Sequence, residues 1–275
     1  MLKGSVFMSE LNLIKLPECP QFIDESLSPA AKEIGKTLGN IFHLIFSPIN
    51  YPTDKFKIKQ NENLKKYKKD IKNELSKIPE EKLVEPPLNI VGPALDASKF
   101  YIEKDEFRKM FSKLIASSMN IDNKNFSHSS FIEIIKQLSP FDALVLKELS
   151  HKPEHPIITY MLLENEFSSF GRTGCAVVKD LIKLDCITDE KSLNLLHMAL
   201  DNLSRLNLIS IGYNSELSDI EAYKNTLDFF ENFIKPQIKL TYLIRPEFKN
   251  RSLHPRYGVL ELTNYGLNFI NTCIS

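Results

Sequence analysis

The chain has 275 residues, of which 43% are hydrophobic and 25% charged, proportions that exclude a disordered or fibrous protein. Its 35 basic and 35 acidic residues cancel, so no global field draws it to nucleic acid or lipid, and an electrostatic partner must meet a local patch. Arginine supplies only 6 of the basic residues, which argues against a dedicated reader of phosphate or guanine through bidentate contacts.

This length suits one large domain or two ordinary ones. The segment Met1–Glu10 lacks a charged start followed by an apolar run, and the most apolar stretch, Ile41–Phe46, is far too short to span a bilayer. A soluble, cytoplasmic protein is expected. Cys19, Cys175, Cys186 and Cys273 form no close-spaced pair, and zinc sites usually present two thiolates from one tight turn. Unpaired thiols of a reducing compartment are expected instead.

Residues 1–28 form an irregular N-terminal segment punctuated by Pro17 and Pro20. Ser28 suits an N-cap and Pro29 a first helical position. Ile34, Leu38, Ile41, Phe42, Ile45 and Phe46 then recur at helical spacing until Pro48, with Gly35 and Gly39 permitting close packing. From Lys55 to Lys77 nine lysines face three carboxylates, while Leu64, Tyr67, Ile71, Leu75 and Ile78 mark the inner stripe of an amphipathic helix. The Pro79–Pro93 region is expected to break the chain. A helix follows over Phe100–Met119, then a loop at Asn120–Ser127 and a buried helix over Phe131–Leu138.

Ser139 caps a further helix begun by Pro140, which ends in HKPEHP. Leu193–Leu208 is a helix running into a short strand, and VLELTNYGLNFI is a strand ending at Thr263 followed by a helix. That order resembles a winged helix, with Thr263 capping the last helix and Gly266 letting it approach the strand. The connection 213–237 is a helical, acidic insertion. The fold class is therefore mainly α: a helical domain over 29–138, then a winged-helix-like α+β domain over 139–275 with a small antiparallel hairpin.

Motifs for chemistry are few. GKT at Gly35–Thr37 lacks the earlier glycine and preceding strand of a phosphate loop. His151 and His155 are four apart but separated by Pro153, which disfavours the helix a metal site would need. His128 near Glu133 offers one imidazole and one carboxylate without an activated third group. No serine sits on a G-x-S-x-G elbow, and FGRTGC (Phe170–Cys175) is expected to be a simple turn. No catalytic residue, metal site or cofactor is assigned, and the reading leans against an enzyme.

Two basic features remain. The first pairs the apolar helix (Ile41, Phe42, Ile45, Phe46) with the lysine face (Lys65, Lys66, Lys68, Lys69), a surface suited to an anionic membrane or a protein partner. The second is a wing carrying Arg245, Lys249, Arg251 and Arg256, suited to phosphate or a partner. The preceding helix has few donors for base edges, so nucleic acid is the lesser expectation.

AAKEIGKTLGNIFHLIFSPI (30–49), IPEEKLVEPPLNIVGPALDASKFYIEKDEFRKMFSKLIASSM (78–119) and SHSSFIEIIKQLSPFDALVLKEL (127–149) resemble the abortive infection alpha family of bacterial proteins. The resemblance implies a part in defence against bacteriophage and brings no catalytic residue onto this chain; a phage or host protein is the expected partner of its packing surfaces. The expected function is thus a defence protein that acts by binding; the alternative is a winged-helix regulator that binds nucleic acid.

Overall fold

In a computed structural model of the chain, residues 21–24, 26–47, 54–164, 174–235 and 251–274 are described. The chain divides into two units: one comprises Met1–Gln137 with Asn271–Ser275, the other Leu138–Ile270.

The first unit is helical. Helix α1 (Pro29–Phe46) starts as expected, with the Ser28 side chain accepting from Ala31 N–H and Pro29 in its first turn. Helix α2 (Asp54–Leu75) buries Leu64, Tyr67, Ile71 and Leu75. A single 3₁₀ turn, Glu80–Lys82, leads to α3 (Leu88–Ser98), and α4 (Asp105–Ser118) and α5 (Ser130–Gln137) complete the unit. Phe42, Tyr67, Val91, Leu95, Phe111, Leu114, Phe131 and Ile135 are fully buried, so every helix contributes to the apolar core.

Three expectations fail here for local reasons. The segment around Pro93 is no connector, because α3 runs through that proline; neighbouring apolar residues Ile90, Val91, Ala94 and Leu95 hold it in the core, which outweighs one missing backbone bond. Phe100 lies outside α4 and is 87% exposed, so the helix face begins at Phe107. Gly35 does permit a close approach, but to Ile23 of the preceding segment: a Cβ at Gly35 would stand 2.8 Å from the Ile23 Cβ.

The second unit opens with α6 (Pro140–Leu149), started by a capping box in which Ser139 and Asp142 satisfy each other's backbone N–H. Strands β1 (Glu154–Glu164), β2 (Gly174–Leu181), β3 (Ile209–Gly212) and β4 (Arg251–Leu262) form one antiparallel sheet in the order β2-β1-β4-β3. Helix α7 (Glu190–Arg205) precedes β3. It ends in a Schellman motif: Leu208 N–H bonds to Leu203 O, Asn207 N–H bonds to Ser204 O, and Asn207 has φ of 57°. A short 3₁₀ turn, helix α8 (Lys224–Phe229) and a π-helical turn (Phe230–Ile234) follow, and α9 (Asn264–Cys273) closes the chain.

The sheet is larger than the small hairpin expected of this α+β half. The last three residues of HKPEHP already belong to β1, whose run IITYMLL lacks strict alternation because Ile157, Ile158 and Tyr160, on opposite faces, are all buried. FGRTGC accordingly follows a strand, and its last two residues open β2. The β3–β4 pair is antiparallel as expected, yet it forms one edge of a four-stranded sheet, not a separate hairpin. Between Ile158↔Leu181 and Tyr160↔Val178 the register slips by one residue, a bulge at which Asp180 takes φ of 51°.

Candidate functional site

Helix α2 separates its residues by face. Lys65, Lys66 and Lys69 are exposed and form no ion pair among the described residues. Several other lysines of this unit are engaged: Lys59 with Glu103, Lys72 with Asp24 at 3.1 Å, Lys77 with Glu74 and Lys82 with Asp122, each of these last two at 2.7 Å. Lys68 is half-buried with its ammonium 5.4 Å from the centre of the Phe42 ring, and burial lowers its pKa.

The apolar partners expected on α1 are not on that surface. Phe42 and Phe46 are buried in an aromatic cluster with Tyr67, ring centres 4.5–6.3 Å apart. Ile41 and Ile45 are half-buried. The structure thus presents three exposed ammonium groups, with no ion pair among the described residues, within little more than one helical turn and keeps the aromatics behind them.

The buried side of α2 carries a feature that hydrophobic spacing hid. Gln60 and Asn63 are 8% and 6% exposed, and Gln60 Oε1 and Asn63 Nδ2 have no hydrogen-bond partner among the described residues. Burial raises the Tyr67 phenol pKa, and the nearby Ser98 hydroxyl opposes that shift. Ser98 sends its own hydrogen to Leu95 O at 2.7 Å. Unsatisfied buried polar groups cost about 1–3 kcal/mol each. The signal was legible, since positions 60, 63 and 67 share the stripe of Ile71.

Of the wing residues, Arg245 and Lys249 lie outside the described residues. Arg251 and Arg256 lie in strand β4, not at a loop tip. Arg251 pairs with Glu164 at 3.1 Å, and the Arg256 guanidinium stacks 5.3 Å from the Tyr213 ring centre. Tyr213 joins a closed circuit with residues distant in sequence. Thr159 Oγ1–H donates to Tyr213 Oη, Tyr213 O–H donates to Asp180 Oδ1, and Asp180 N–H donates to Thr159 Oγ1, at 2.7, 2.7 and 3.1 Å. Spacing could not reveal this circuit, because only the sheet and the bulge bring the three together. It braces the bulge; a phenol raised by burial and by the neighbouring carboxylate is a weak acid or base at neutral pH.

The remaining candidates resolve into local structure. His128 Nδ1 is 2.6 Å from Ser130 Oγ, and Glu133 pairs with Lys136, so His128 and Glu133 are each otherwise engaged. His155 Nε2 sits 2.9 Å from Leu149 O. The Cys186 thiol, pushed up to about 12 by burial and Glu148, is not a nucleophile. Among the described residues no cluster of three or more His, Cys, Asp or Glu is placed to hold a metal ion, and no helix is long and apolar enough to cross a membrane.

The family model for abortive infection alpha matches residues 59–273. The chain belongs to the abortive infection alpha family. That match takes in all but the first residues of α2 and the whole second unit, whereas residues 30–49 lie outside it. Comparison with curated proteins found no match, and comparison with solved structures found none. Membership of the abortive infection alpha family suggests a defence role and leaves the site to be argued from this chain's own geometry.

Proposed function

We propose that this protein serves abortive infection by binding an anionic partner through the lysine face of α2, not by catalysis. The carrying observation is the clustering of exposed Lys65, Lys66 and Lys69, which form no ion pair among the described residues, within little more than one turn of α2. Unpaired ammonium groups keep their charge available for association, where lysines near an anionic bilayer contribute about 1 kcal/mol each. An acidic face on a phage or host protein offers the same complementarity.

Changing Lys65, Lys66 and Lys69 together to Glu tests this. All three side chains point to solvent, so far-ultraviolet circular dichroism should be unchanged. Phage protection should be lost, along with binding to anionic vesicles or to an acidic protein captured from infected cells. Protection at the wild-type level in the triple variant sinks the reading.

The second reading, a winged-helix regulator of nucleic acid, draws on the order α7, β3, β4 and on the joint at Thr263. There Gly266 N–H donates to Thr263 Oγ1 at 2.8 Å, and a Cβ at Gly266 would stand 2.0 Å from Leu208 O. The contacts of Arg251 and Arg256 within the unit weigh against it. On this reading DNA or RNA binding falls steeply with salt as phosphate counterions are released, and Arg251→Glu with Arg256→Glu abolishes it.

A further inference from the structure

Charge in this chain is balanced overall and segregated locally. The stretch Lys55–Lys77 carries nine lysines against three carboxylates, while residues 213–237 carry five carboxylates against two lysines. The basic stretch belongs to the first unit and the acidic one to the second. A molecule with one face of each sign offers its own complement to a second copy.

Each of these faces also presents an isoleucine to solvent. On α2, Ile58, Glu62, Lys65 and Lys69 recur at helical spacing and share one side of the helix, with Lys66 beside them. All five are exposed. In the second unit Ile220 opens the 3₁₀ turn before α8, flanked by Asp219 and Glu221. Tyr223, Thr226, Phe230 and Ile234 form the buried side of this segment, so Glu221, Asp228 and Glu231 stand outward, and Glu216 is exposed just before them. Lys224 and Lys235 engage Glu221 and Glu231, which leaves the surface net negative. Ile58 and Ile220 are each 62% exposed. An apolar side chain ringed by charge is the anatomy of a contact: the centre is shielded from water and the rim sets partner and register.

We propose that a second copy of this chain is an anionic partner of the lysine face: Ile220 and the carboxylates around it on one copy dock against Ile58, Lys65, Lys66 and Lys69 of another. This rests on the lysine face acting in binding, as argued above, and names its occupant. The two surfaces differ, so the contact is head to tail. A copy whose lysine face is taken keeps its acidic face for the next copy, and assembly grows with concentration. Like charges oppose the symmetric pairings, lysine on lysine and carboxylate on carboxylate.

Sedimentation velocity of the full chain over a concentration series tests this. Wild type should pass from monomer to larger species as concentration rises. The association should weaken as salt is raised from about 50 to about 300 mM, which shortens the reach of surface charge. Changing Lys65, Lys66 and Lys69 together to Glu should leave a monomer, and so should changing Glu216, Glu221 and Asp228 together to Lys. Mixing these two charge-reversed variants should restore association, since the intact acidic face of the first meets the intact lysine face of the second. Ile220→Ser alters no charge and should weaken wild-type association about tenfold through lost apolar burial; it keeps the test decisive should a reversed variant fold poorly. A wild type that stays monomeric throughout overturns the proposal, as does association that survives both the carboxylate reversal and Ile220→Ser. Protection lost in the Lys→Glu variant of a monomeric protein leaves the lysine face with another anionic occupant. Association lost in that variant with protection retained removes the face from defence and leaves the contact between copies standing.

Discussion

Arg108 is the residue on which the first unit's polar interior turns. It is 4% exposed, and its guanidinium reaches Asp70 through Nε and Asp105 through Nη1, both at 2.7 Å, with a weaker contact to Ile102 O. Only the planar fork of arginine can serve two carboxylates on different helices at once. Arg108→Ala should destabilise this unit by about 2–3 kcal/mol in urea denaturation. Stranding a buried charge costs more than that, but the Asp105 side chain is 64% exposed and recovers water. Arg108→Lys should recover part of the loss, since one ammonium cannot hold both carboxylates in that geometry; full recovery would show that charge alone matters there. Sequence reading passed over Arg108, because an arginine on a predicted helix looks like a solvated charge until its neighbours are known.

Element boundaries follow capping chemistry, which makes them sensitive to pH. Asp189 starts α7 by accepting from Ser192 N–H at 2.7 Å, while Ser192 Oγ accepts from Asp189 N–H at 3.0 Å. The backbone hydrogen bond from Ser192 holds the Asp189 carboxyl below the usual carboxylate range. A carboxyl whose folded pKa is depressed adds stability that is complete above its unfolded pKa and disappears as pH falls through the folded value. Thermal unfolding should therefore show the second unit losing stability on acidification below the ordinary carboxylate range. Asp189→Asn, which keeps a good cap without the charge, should flatten this acid dependence; Asp189→Ala should also lower Tm by a few degrees at neutral pH. If Asn leaves the acid slope intact, the dependence comes from other carboxyls of that unit.

At the scale of the whole molecule, the first unit is built from two stretches far apart in sequence. The last turn of α9, from Asn271 onward, belongs with the first unit, although that helix starts in the second. Cys273 is buried, and Ile274 O accepts from Lys113 Nζ at 2.7 Å. That ammonium is half-buried, and burial lowers its pKa, so its hydrogen bonds are not readily replaced by water. Nearby, Glu74, Lys77, Asn120, Asn123 and Asn271 line a polar cleft of about 180 Å³. Deleting residues 271–275 should destabilise the first unit, read as faster hydrogen exchange in α4, despite the distance in sequence. Unchanged exchange in α4 would mean that the C-terminal stretch contributes nothing to that unit.

The sequence alone determined whatever depends on neighbours along the chain. The starts of α1 and α6 were legible in Ser28–Pro29 and Ser139–Pro140, and the last joint in Thr263 and Gly266, because caps and close approaches are local chemistry. So was the inner stripe of α2, since 3.6-residue spacing shows which positions share a face. Tertiary structure decided the rest. Strand β1 became legible only as a central strand buried on both faces, where period-two alternation disappears. Pro93 stayed helical because its neighbours were needed in the core. Phe42 and Phe46 were placed behind Tyr67, and Lys65, Lys66 and Lys69 in solvent, by packing among helices that no spacing encodes. The orphaned Gln60 Oε1 and Asn63 Nδ2 follow from the same cause: a helical period marks a face as inward, but whether a polar group there finds a partner depends on what the fold brings to meet it.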